Sequence, residues 1–330
     1  MKKIEDILKE RILVLDGAMG TMLQRYKFSE ADFRGERFKD WHIDVKGNND
    51  MLALTQPKAL EEVHRKYLEA GSDIIETNTF SSTTIAMADY EMEDFVYDLN
   101  YESAVIAKKV ADEFTAKNPD KPRFVAGSIG PTNKTASMSP DVNDPGYRAI
   151  TFEELKVAYK QQVEALLDGG VDILLVETIT DTLNSKAALF AIEEVKDDRD
   201  IHIPIMVSGT ITDASGRTLS GQTAEAFLIS VSHIPLLSIG FNCALGAKDL
   251  VPHLEVLSSK SNFGVSAHPN AGLPNAFGAY DETPEQMVQQ IKEYVDKGLV
   301  NIVGGCCGTT PEHIKAIADL VATYKPRPVQ

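Results

Sequence analysis

The segment TFEELKVAYKQQVEALLDGGVDILLVETI (residues 151–179) contains the structural unit that recurs along this chain. It opens with a Thr-x-x-Glu pattern, Thr151 to Glu154, which is typical of a helix N-terminus. The helical pattern ends at a pair of glycines, and DILLVETI (172–179) follows as a short, nearly continuous apolar run. Runs of this kind are typical of parallel strands buried on both faces of a sheet. The segment therefore predicts a helix followed by a buried parallel strand.

Eight such apolar runs alternate with amphipathic segments along the chain. The runs are RILVLDGA (11–18), DIIETNTF (73–80), RFVAGSIG (123–130), DILLVETI (172–179), PIMVSGTI (204–211), LLSIGFNC (236–243), FGVSAHPN (263–270) and NIVGGCCG (301–308). Strict strand–helix alternation in eight units favours a closed (β/α)8 TIM barrel over an open doubly wound sheet. We predict a single-domain barrel over residues 1–324 and interpret KPRPVQ (325–330) as the start of a linker or tail.

Two of the predicted connections are too long to be simple turns, residues 19–56 after strand 1 and residues 131–150 after strand 3. Both follow strands, so both belong to the C-terminal face of the barrel, where active sites of this fold lie. Long loops of this kind often form lids or binding loops. The first loop contains Phe28, Phe33, Trp41, Met51 and Leu52, so we expect an ordered segment there rather than a disordered surface insertion.

Composition and charge restrict the class of partner. The chain of 330 residues has 33 Lys and Arg against 49 Asp and Glu, a formal net charge of −16. This balance argues against a nucleic-acid or anionic-membrane surface and favours a small polar substrate or a protein partner. The start of the chain has no apolar signal region and no stretch is long enough to span a membrane, so we expect a cytoplasmic protein. An odd count of three cysteines makes a disulfide framework improbable there.

The residues at the predicted strand ends should face the reaction centre of a barrel. These residues are Asp16, Asn78, Ser128, Glu177, Thr210, Cys243, Asn270, Cys306 and Cys307. All three cysteines of the chain are among them, on strands 6 and 8. Thiolates from these strands can meet across strand 7, and soft sulfur ligands favour zinc. Three protein ligands would leave a fourth position open, as in catalytic zinc sites.

Adjacent strand residues point to opposite faces, so Cys306 and Cys307 can bind one metal only if the backbone turns there. Glycines at positions 304, 305 and 308 would permit the turn. Other interpretations of the cysteines stay open: core residues, a redox-active pair, or a phosphate-binding glycine loop. His268 competes for the fourth ligand position, although a single histidine near a strand end is more often structural.

Two acidic residues, Asp16 and Glu177, lie at the same predicted level, where no strand ends in lysine or arginine. Acidic strand ends disfavour phosphate and suit an ammonium group. The two carboxylates also fit a general acid/base pair or buried partners of helix amides, and the sequence does not separate these roles.

Three motifs, DGAMGT (16–21), GFNC (240–243) and GGCCGTTP (304–311), together resemble the homocysteine S-methyltransferase family over about the whole chain. Within that family, DGAMGTMLQ (16–24) and NDMLALTQP (49–57) are most similar to the N-terminal homocysteine-binding module of cobalamin-dependent methionine synthases.

The resemblance implies a TIM barrel in which Cys243, Cys306 and Cys307 bind zinc and the homocysteine sulfur is the fourth ligand. It also implies that Asp16 and Glu177 hold the substrate's amino group. Asn270, in the PNAG run, would lie near the open position of the metal. With these residues we group Gly17, Asn78 and Ser128 as candidate substrate-binding residues.

The resemblance further implies that the methyl donor is methylcobalamin, with cobalamin-binding and folate-binding modules on the same chain or on a partner chain. The homocysteine thiolate would attack the methyl group and give methionine. Two alternatives stay open, a betaine- or S-methylmethionine-dependent homocysteine methyltransferase and a non-catalytic zinc- or homocysteine-binding subunit.

Overall fold

Eight parallel strands form a single sheet in the computed structural model, which describes residues 2–329. The strands are β1 (Leu13–Val14), β2 (Ile74–Glu76), β3 (Phe124–Ile129), β4 (Ile173–Ile179), β5 (Ile205–Gly209), β6 (Ser238–Gly246), β7 (Gly264–Asn270) and β8 (Ile302–Val303). Each lies within or overlaps one of the eight apolar runs of the sequence.

The sheet closes on itself. Its strand order is β1-β8-β7-β6-β5-β4-β3-β2, and a parallel bridge between Leu15 and Ile74 joins the two ends. The Asp73 backbone N–H donates to Val14 O at 2.7 Å across the same seam. The predicted (β/α)8 TIM barrel is therefore confirmed.

Helices surround the barrel. They are α1 (Ile4–Glu10), α2 (Met19–Gln24), α3 (Glu30–Arg34), α4 (Leu52–Thr55), α5 (Pro57–Ala70), α6 (Thr84–Met87), α7 (Val96–Lys117), α8 (Phe152–Asp168), α9 (Thr182–Arg199), α10 (Ala224–Val231), α11 (Ala247–Lys260), α12 (Pro284–Asp296) and α13 (Pro311–Val321). One long helix follows each strand: α5, α7 and α8 to α13. The predicted capping box starts α8, where Thr151 N donates to the Glu154 carboxylate at 2.8 Å.

Alternation along the strands separates the interior of the barrel from its helix-covered outside. Inward-facing residues at the N-terminal end, such as Leu13, Ile74 and Phe124, form one apolar cluster with Ile7 and Leu8 of α1. Helix α1 therefore closes the bottom of the barrel. The residue that follows each of these three in its strand points outward and packs against the helices, in a separate, larger cluster. The interior above the apolar layer is left to polar side chains.

The first long connection is more ordered than a simple loop. Residues 19–56 contain α2, α3 and α4, which the sequence did not predict as separate helices. As expected, the segment is ordered, and Phe33, Met51 and Leu52 are buried in a cluster with residues of α5 and α7. The connection 131–150 contains no helix. A third long connection, residues 77–95 with the short helix α6, was not anticipated.

The segment after α13 lies against the barrel. Arg327 is buried, and its guanidinium donates to the carbonyl oxygens of Ser258, Ser261 and Phe263. The division at residue 324 between barrel and linker stays a prediction. Within residues 2–329, no helix combines the length and the apolar character that crossing a membrane requires.

Candidate active site

The three cysteines converge at the C-terminal mouth of the barrel. Their sulfur atoms all lie within 4.8 Å of one another, and Cys243 Sγ is 3.7 Å from Cys307 Sγ. All three are free thiols with partial exposure. Two thiolates at about 2.3 Å from a tetrahedral zinc ion are separated by about 3.8 Å, so this spacing fits such an ion. The same spacing is too long for a disulfide, whose sulfurs lie about 2.05 Å apart.

Cys243 reaches the cluster through an irregularity inside β6 rather than from the end of that strand. Pairing with β7 shifts register between Asn242 and Gly246. Cys243 and Ala244 both have left-handed backbones, with φ of +59° and +55°. Such values are uncommon for residues other than glycine, and they bend the strand so that the thiol is directed into the mouth. Our expectation that Cys243 ends its strand was therefore wrong.

The pair Cys306 and Cys307 lies in a turn that follows the short strand β8. Among the three glycines expected to permit the turn, only Gly308 has a positive φ, +79°. Gly304 and Gly305 serve close packing instead: a Cβ on Gly305 would lie 2.5 Å from the Thr309 side chain. The backbone does turn at the cysteine pair, which lets both thiols face Cys243.

Hydrogen bonds from β7 hold this turn. Cys306 N donates to Pro269 O at 2.8 Å, and Ala271 N donates to Cys307 O at 2.9 Å. The Asn270 side chain accepts from Cys307 N through Oδ1 at 3.1 Å. Asn270 thus lies beside the cysteine cluster and supports its backbone.

The cluster favours a thiolate. Hydrogen bonds from the Cys243 and Cys306 thiols lower the pKa of Cys307 to about 3. Contacts with the sulfurs of Cys243 and Cys307, together with burial, raise the pKa of Cys306 well above the ordinary range. The cluster therefore favours ionisation of the Cys307 sulfur, and thiolates are the ligands that a soft metal ion selects.

Three carboxylates lie below the thiols. Asp16 follows β1, Glu76 ends β2 and Glu177 lies near the end of β4. Asp16 Oδ2 accepts from Glu76 N at 3.0 Å, whereas Asp16 Oδ1 is buried without a partner. The carboxyl groups of Glu76 and Glu177 lie close together, with oxygen atoms within 4.8 Å of each other. Burial raises the pKa of all three, and their mutual repulsion adds to the effect at Asp16 and Glu76.

Glu177 is held by several donors. Ser128 Oγ donates to Glu177 Oε1 at 2.5 Å, so this predicted site residue acts on the carboxylate. Asn242 Nδ2 and Thr178 Oγ1 each lie 3.4 Å from Glu177 Oε2. Thr178 has a φ of +54°, a strained value for a β-branched residue. Asn242 Oδ1 accepts from Thr178 N at 3.0 Å and so supports this conformation.

His268 belongs to the carboxylates and not to the thiols. Its ring lies within 4.8 Å of the carboxyl oxygens of Glu76 and Glu177, and it is absent from the group formed by the three sulfurs. Burial lowers the pKa of His268 to about 3, so the ring is neutral, and its Nε2 has no hydrogen-bond partner. A role as the fourth ligand of the cysteine site gains no support from this placement.

A cavity of about 1180 Å³ joins these groups and opens at the mouth. The predicted site residues that line it are Asp16, Gly17, Asn78, Ser128, Glu177, Cys243, Cys306 and Cys307. Asn78 also donates from Nδ2 to Asn49 O at 2.8 Å, which ties β2 to the first long connection. Gly17 packs closely, since a Cβ there would lie 2.7 Å from Thr309 Oγ1.

Sequence reasoning missed two residues of the site. Glu76 was passed over for Asn78, although DIIETN and LLVETI share the same Glu-Thr pair at the end of a strand. Tyr280, in the connection after β7, places its hydroxyl against the Cys307 sulfur. Burial and this sulfur raise the pKa of Tyr280 to about 12. Nothing in the local sequence around Tyr280 signals this contact.

The fold and the site define the class: a TIM-barrel protein whose candidate active site lies at the C-terminal mouth, where enzymes of this fold carry theirs. The sequence model of the homocysteine S-methyltransferase family matches residues 13–321, and the chain belongs to that family. Methyl transfer to homocysteine is therefore the activity of its class.

Solved structures agree on the fold. The homocysteine methyltransferase MmuM from Escherichia coli, in a metallated form, has a TM-score of 0.72 at 23% identity, covering 96% of this chain and 98% of that one. Its oxidized form gives a TM-score of 0.72 at 22% identity, with coverages of 95% and 97%. A B12-independent methionine synthase from Shewanella sp. W3-18-1, in complex with selenomethionine, gives a TM-score of 0.50 at 13% identity, with coverages of 86% and 91%.

Proposed function

We propose that this chain transfers a methyl group to homocysteine at a zinc site formed by Cys243, Cys306 and Cys307, and that methylcobalamin on a separate module is the donor. The observation that carries the proposal is the convergence of all three cysteines of the chain on one point above buried carboxylates. Zinc held there would keep the homocysteine sulfur ionised at neutral pH, and the thiolate is the reactive form of a thiol.

The two ends of homocysteine are matched by two parts of the cavity. Its thiol group fits beside the cysteines, and its α-ammonium group fits the carboxylates of Asp16 and Glu177. Asp16 Oδ1 is buried without a partner, so it has a free acceptor for this group. Ser128 orients Glu177 through its 2.5 Å hydrogen bond. Asn270 would act through the backbone of Cys307, and Gly17 and Asn78 through the shape of the cavity wall.

Methyl transfer then needs only an open approach to the sulfur. A lone pair of the homocysteine thiolate forms the S–CH3 bond, and the donor keeps both electrons of the bond that breaks. The thiol proton leaves to solvent when the substrate binds. At about 1180 Å³ the cavity exceeds the roughly 300–1,000 Å³ of ordinary small-molecule sites, which leaves space for a donor on a large carrier. The similarity of residues 16–24 and 49–57 to cobalamin-dependent enzymes favours methylcobalamin among the donors, and with it cobalamin- and folate-binding partner modules.

A donor assay tests the proposal. Zinc-loaded protein is mixed with homocysteine and one of three donors, free methylcobalamin, betaine or S-methylmethionine, and methionine is measured. We expect zinc-dependent methionine formation from methylcobalamin, and its loss in Cys243→Ala. Turnover with betaine or S-methylmethionine alone would contradict the proposed donor. Tight homocysteine binding without turnover of any donor would instead identify a non-catalytic binding subunit.

A further inference from the structure

The part of the cavity where the substrate's ammonium group is proposed to bind is lined by Asp16, Glu76, Glu177 and His268, and is called the chamber. Glu76 is the third carboxyl group in this chamber. It shares the interior layer with Glu177 and His268, with their oxygen and nitrogen atoms within 4.8 Å of one another. Its backbone N–H donates to Asp16 Oδ2 at 3.0 Å, so Glu76 is also a neighbour of Asp16. Glu76 lines the cavity, so a ligand that enters can reach it.

The hydrogen bonds around Glu177 show which acid carries a proton. Glu177 has donors in Ser128 Oγ, Thr178 Oγ1 and Asn242 Nδ2. These contacts favour an ionised Glu177. Two buried carboxylates with oxygen atoms within 4.8 Å of each other cannot both be ionised without strong repulsion. Glu76 has no comparable set of donors, so the geometry favours Glu76 over Glu177 as the acid that holds a proton.

Among residues 2–329, no basic side chain pairs with the carboxyl group of Glu76. The titratable groups that face it are Asp16 from β1, Glu177 from β4, His268 from β7 and Tyr67 from α5. Burial keeps the His268 ring neutral. Within the same described residues, Asp16, Glu76 and Glu177 form no salt bridge, although Arg25 and Lys27 line another part of the cavity. Asp16 Oδ1 and His268 Nε2 are both buried without a partner, so the chamber has acceptors ready for a cationic ligand.

We propose that Glu76 is protonated in the free enzyme, and that binding of the substrate's α-ammonium group expels this proton, so that Glu76 becomes a third carboxylate around the cation. The proposal rests on the proposed function, because it takes an amino acid with an ammonium group as the ligand. One O–H bond of Glu76 breaks, its electron pair stays on the carboxylate, and the proton passes to solvent. One positive charge thus leaves as another enters.

The consequence is a second proton released on homocysteine binding, in addition to that of the thiol. Release occurs at pH values between the pKa of Glu76 in the complex and its higher pKa in the free enzyme. Within that window, each unit by which the pH rises should lower the Kd for homocysteine about tenfold more than it lowers the Kd for a thiol ligand without an amine. Above the free-enzyme pKa no proton is left to release.

Calorimetry in buffers of different ionisation enthalpy counts these protons. The zinc-loaded protein is titrated at a series of pH values that spans the window between the two pKa values of Glu76, with homocysteine and with 3-mercaptopropionic acid, which keeps the thiol and carboxylate and lacks the amine. We expect about two protons for homocysteine and about one for 3-mercaptopropionic acid. In Glu76→Gln, both ligands should release about one. Glu312→Gln, an exposed carboxylate at the rim of the cavity, serves as the matched control and should behave as wild type.

The outcomes separate this inference from the proposed function. Homocysteine is expected to release about one proton more than 3-mercaptopropionic acid in wild type. If that excess is the same in Glu76→Gln, the proposed role of Glu76 is overturned. No proton release by 3-mercaptopropionic acid would contradict ionisation of the sulfur, while the difference between ligands would still report on Glu76. A second equivalent of bound zinc that is lost in Glu76→Gln would also overturn the proposal, because the chamber would then be a metal site.

Discussion

Cys243 is the thiol that ties β6 to the turn after β8, because its sulfur lies 3.7 Å from that of Cys307. Without it, the mouth retains only the two adjacent cysteines of one turn. At this scale the chemistry of the site depends on a few atoms, and single substitutions separate metal binding from substrate binding.

We expect Cys243→Ala to lose its zinc while keeping its fold. Changes to groups that merely support a metal ligand cost about 10–100-fold in affinity, so loss of a ligand should cost more than about 100-fold. The site lies at the mouth of the barrel, above the apolar layers. Metal analysis after dialysis, together with circular dichroism, checks this result. Ser128→Ala, in the same cavity, should keep one zinc per chain, and full zinc retention in Cys243→Ala would refute the assignment.

We expect Glu177→Gln to weaken homocysteine binding by about 10- to 150-fold, with zinc content unchanged. A hydrogen bond to a charged group contributes about 1.5–3 kcal/mol, which corresponds to that range. Because 3-mercaptopropionic acid has no ammonium group, its Kd should hardly differ between wild type and variant. Isothermal titration with both ligands makes the comparison. Equal losses for the two ligands would show that Glu177 shapes the site or supports the metal instead.

At the scale of elements, β6 and β4 are joined by one amide side chain. Asn242 Oδ1 accepts from Ser208 Oγ at 2.7 Å and from Thr178 N at 3.0 Å, and its Nδ2 donates to Thr178 Oγ1 at 2.7 Å. These contacts hold Thr178 in its left-handed conformation and so direct Glu177 toward the cavity. The irregular end of β4 and the irregular end of β6 therefore depend on each other.

We expect Asn242→Ala to lower the free energy of unfolding by about 1–3 kcal/mol, because it leaves buried donors and acceptors unpaired. Urea denaturation measures the difference. Asn143→Ala, at an exposed position of the connection 131–150, should stay within about 0.5 kcal/mol of wild type. An Asn242→Ala protein as stable as that control would mean that Thr178 keeps its conformation without help.

The regular elements could be predicted from the sequence because their signals are local. The capping box at Thr151 and the apolar run after it specify α8 and β4 without any distant contact. The irregular elements could not. Positive φ is expected at glycine, so the sequence placed the bend at residues 304–308, whereas the structure also bends at Cys243. Glu76 was missed because strand bounds, and thus which residues face inward, depend on pairing between strands that are far apart in sequence.

At the scale of the whole molecule, the barrel combines an apolar bottom with an acidic top layer. Helix α1 and the inward residues of the strands fill the lower half, and Asp16, Glu76 and Glu177 occupy the upper half. Burying acids that repel one another costs stability, and that cost depends on pH. The stability of the free protein should therefore report on the chamber.

Glu76 makes this dependence testable. Its pKa is raised in the folded protein by burial and by Glu177. Between the ordinary pKa near 4.5 and the raised value, only the folded state keeps the proton, so stability falls as pH rises. We expect the free energy of unfolding of Glu76→Gln to gain up to about 1.4 kcal/mol per pH unit relative to wild type over that window. Urea denaturation of the zinc-free proteins at several pH values checks the slope. The free energy of unfolding of the Glu312→Gln control should change with pH as that of wild type does. If the curve of Glu76→Gln is also parallel to wild type, a protonated Glu76 is contradicted.

The central claim, that the three cysteines hold a zinc ion to which homocysteine adds its sulfur, is tested most directly by X-ray absorption at the zinc edge. The zinc-loaded protein should show three sulfur neighbours at about 2.3 Å and one lighter neighbour. Addition of homocysteine should raise the sulfur count to four, and 3-mercaptopropionic acid should do the same. Fewer than three sulfurs in the free protein, or a count that homocysteine leaves unchanged, would contradict the account.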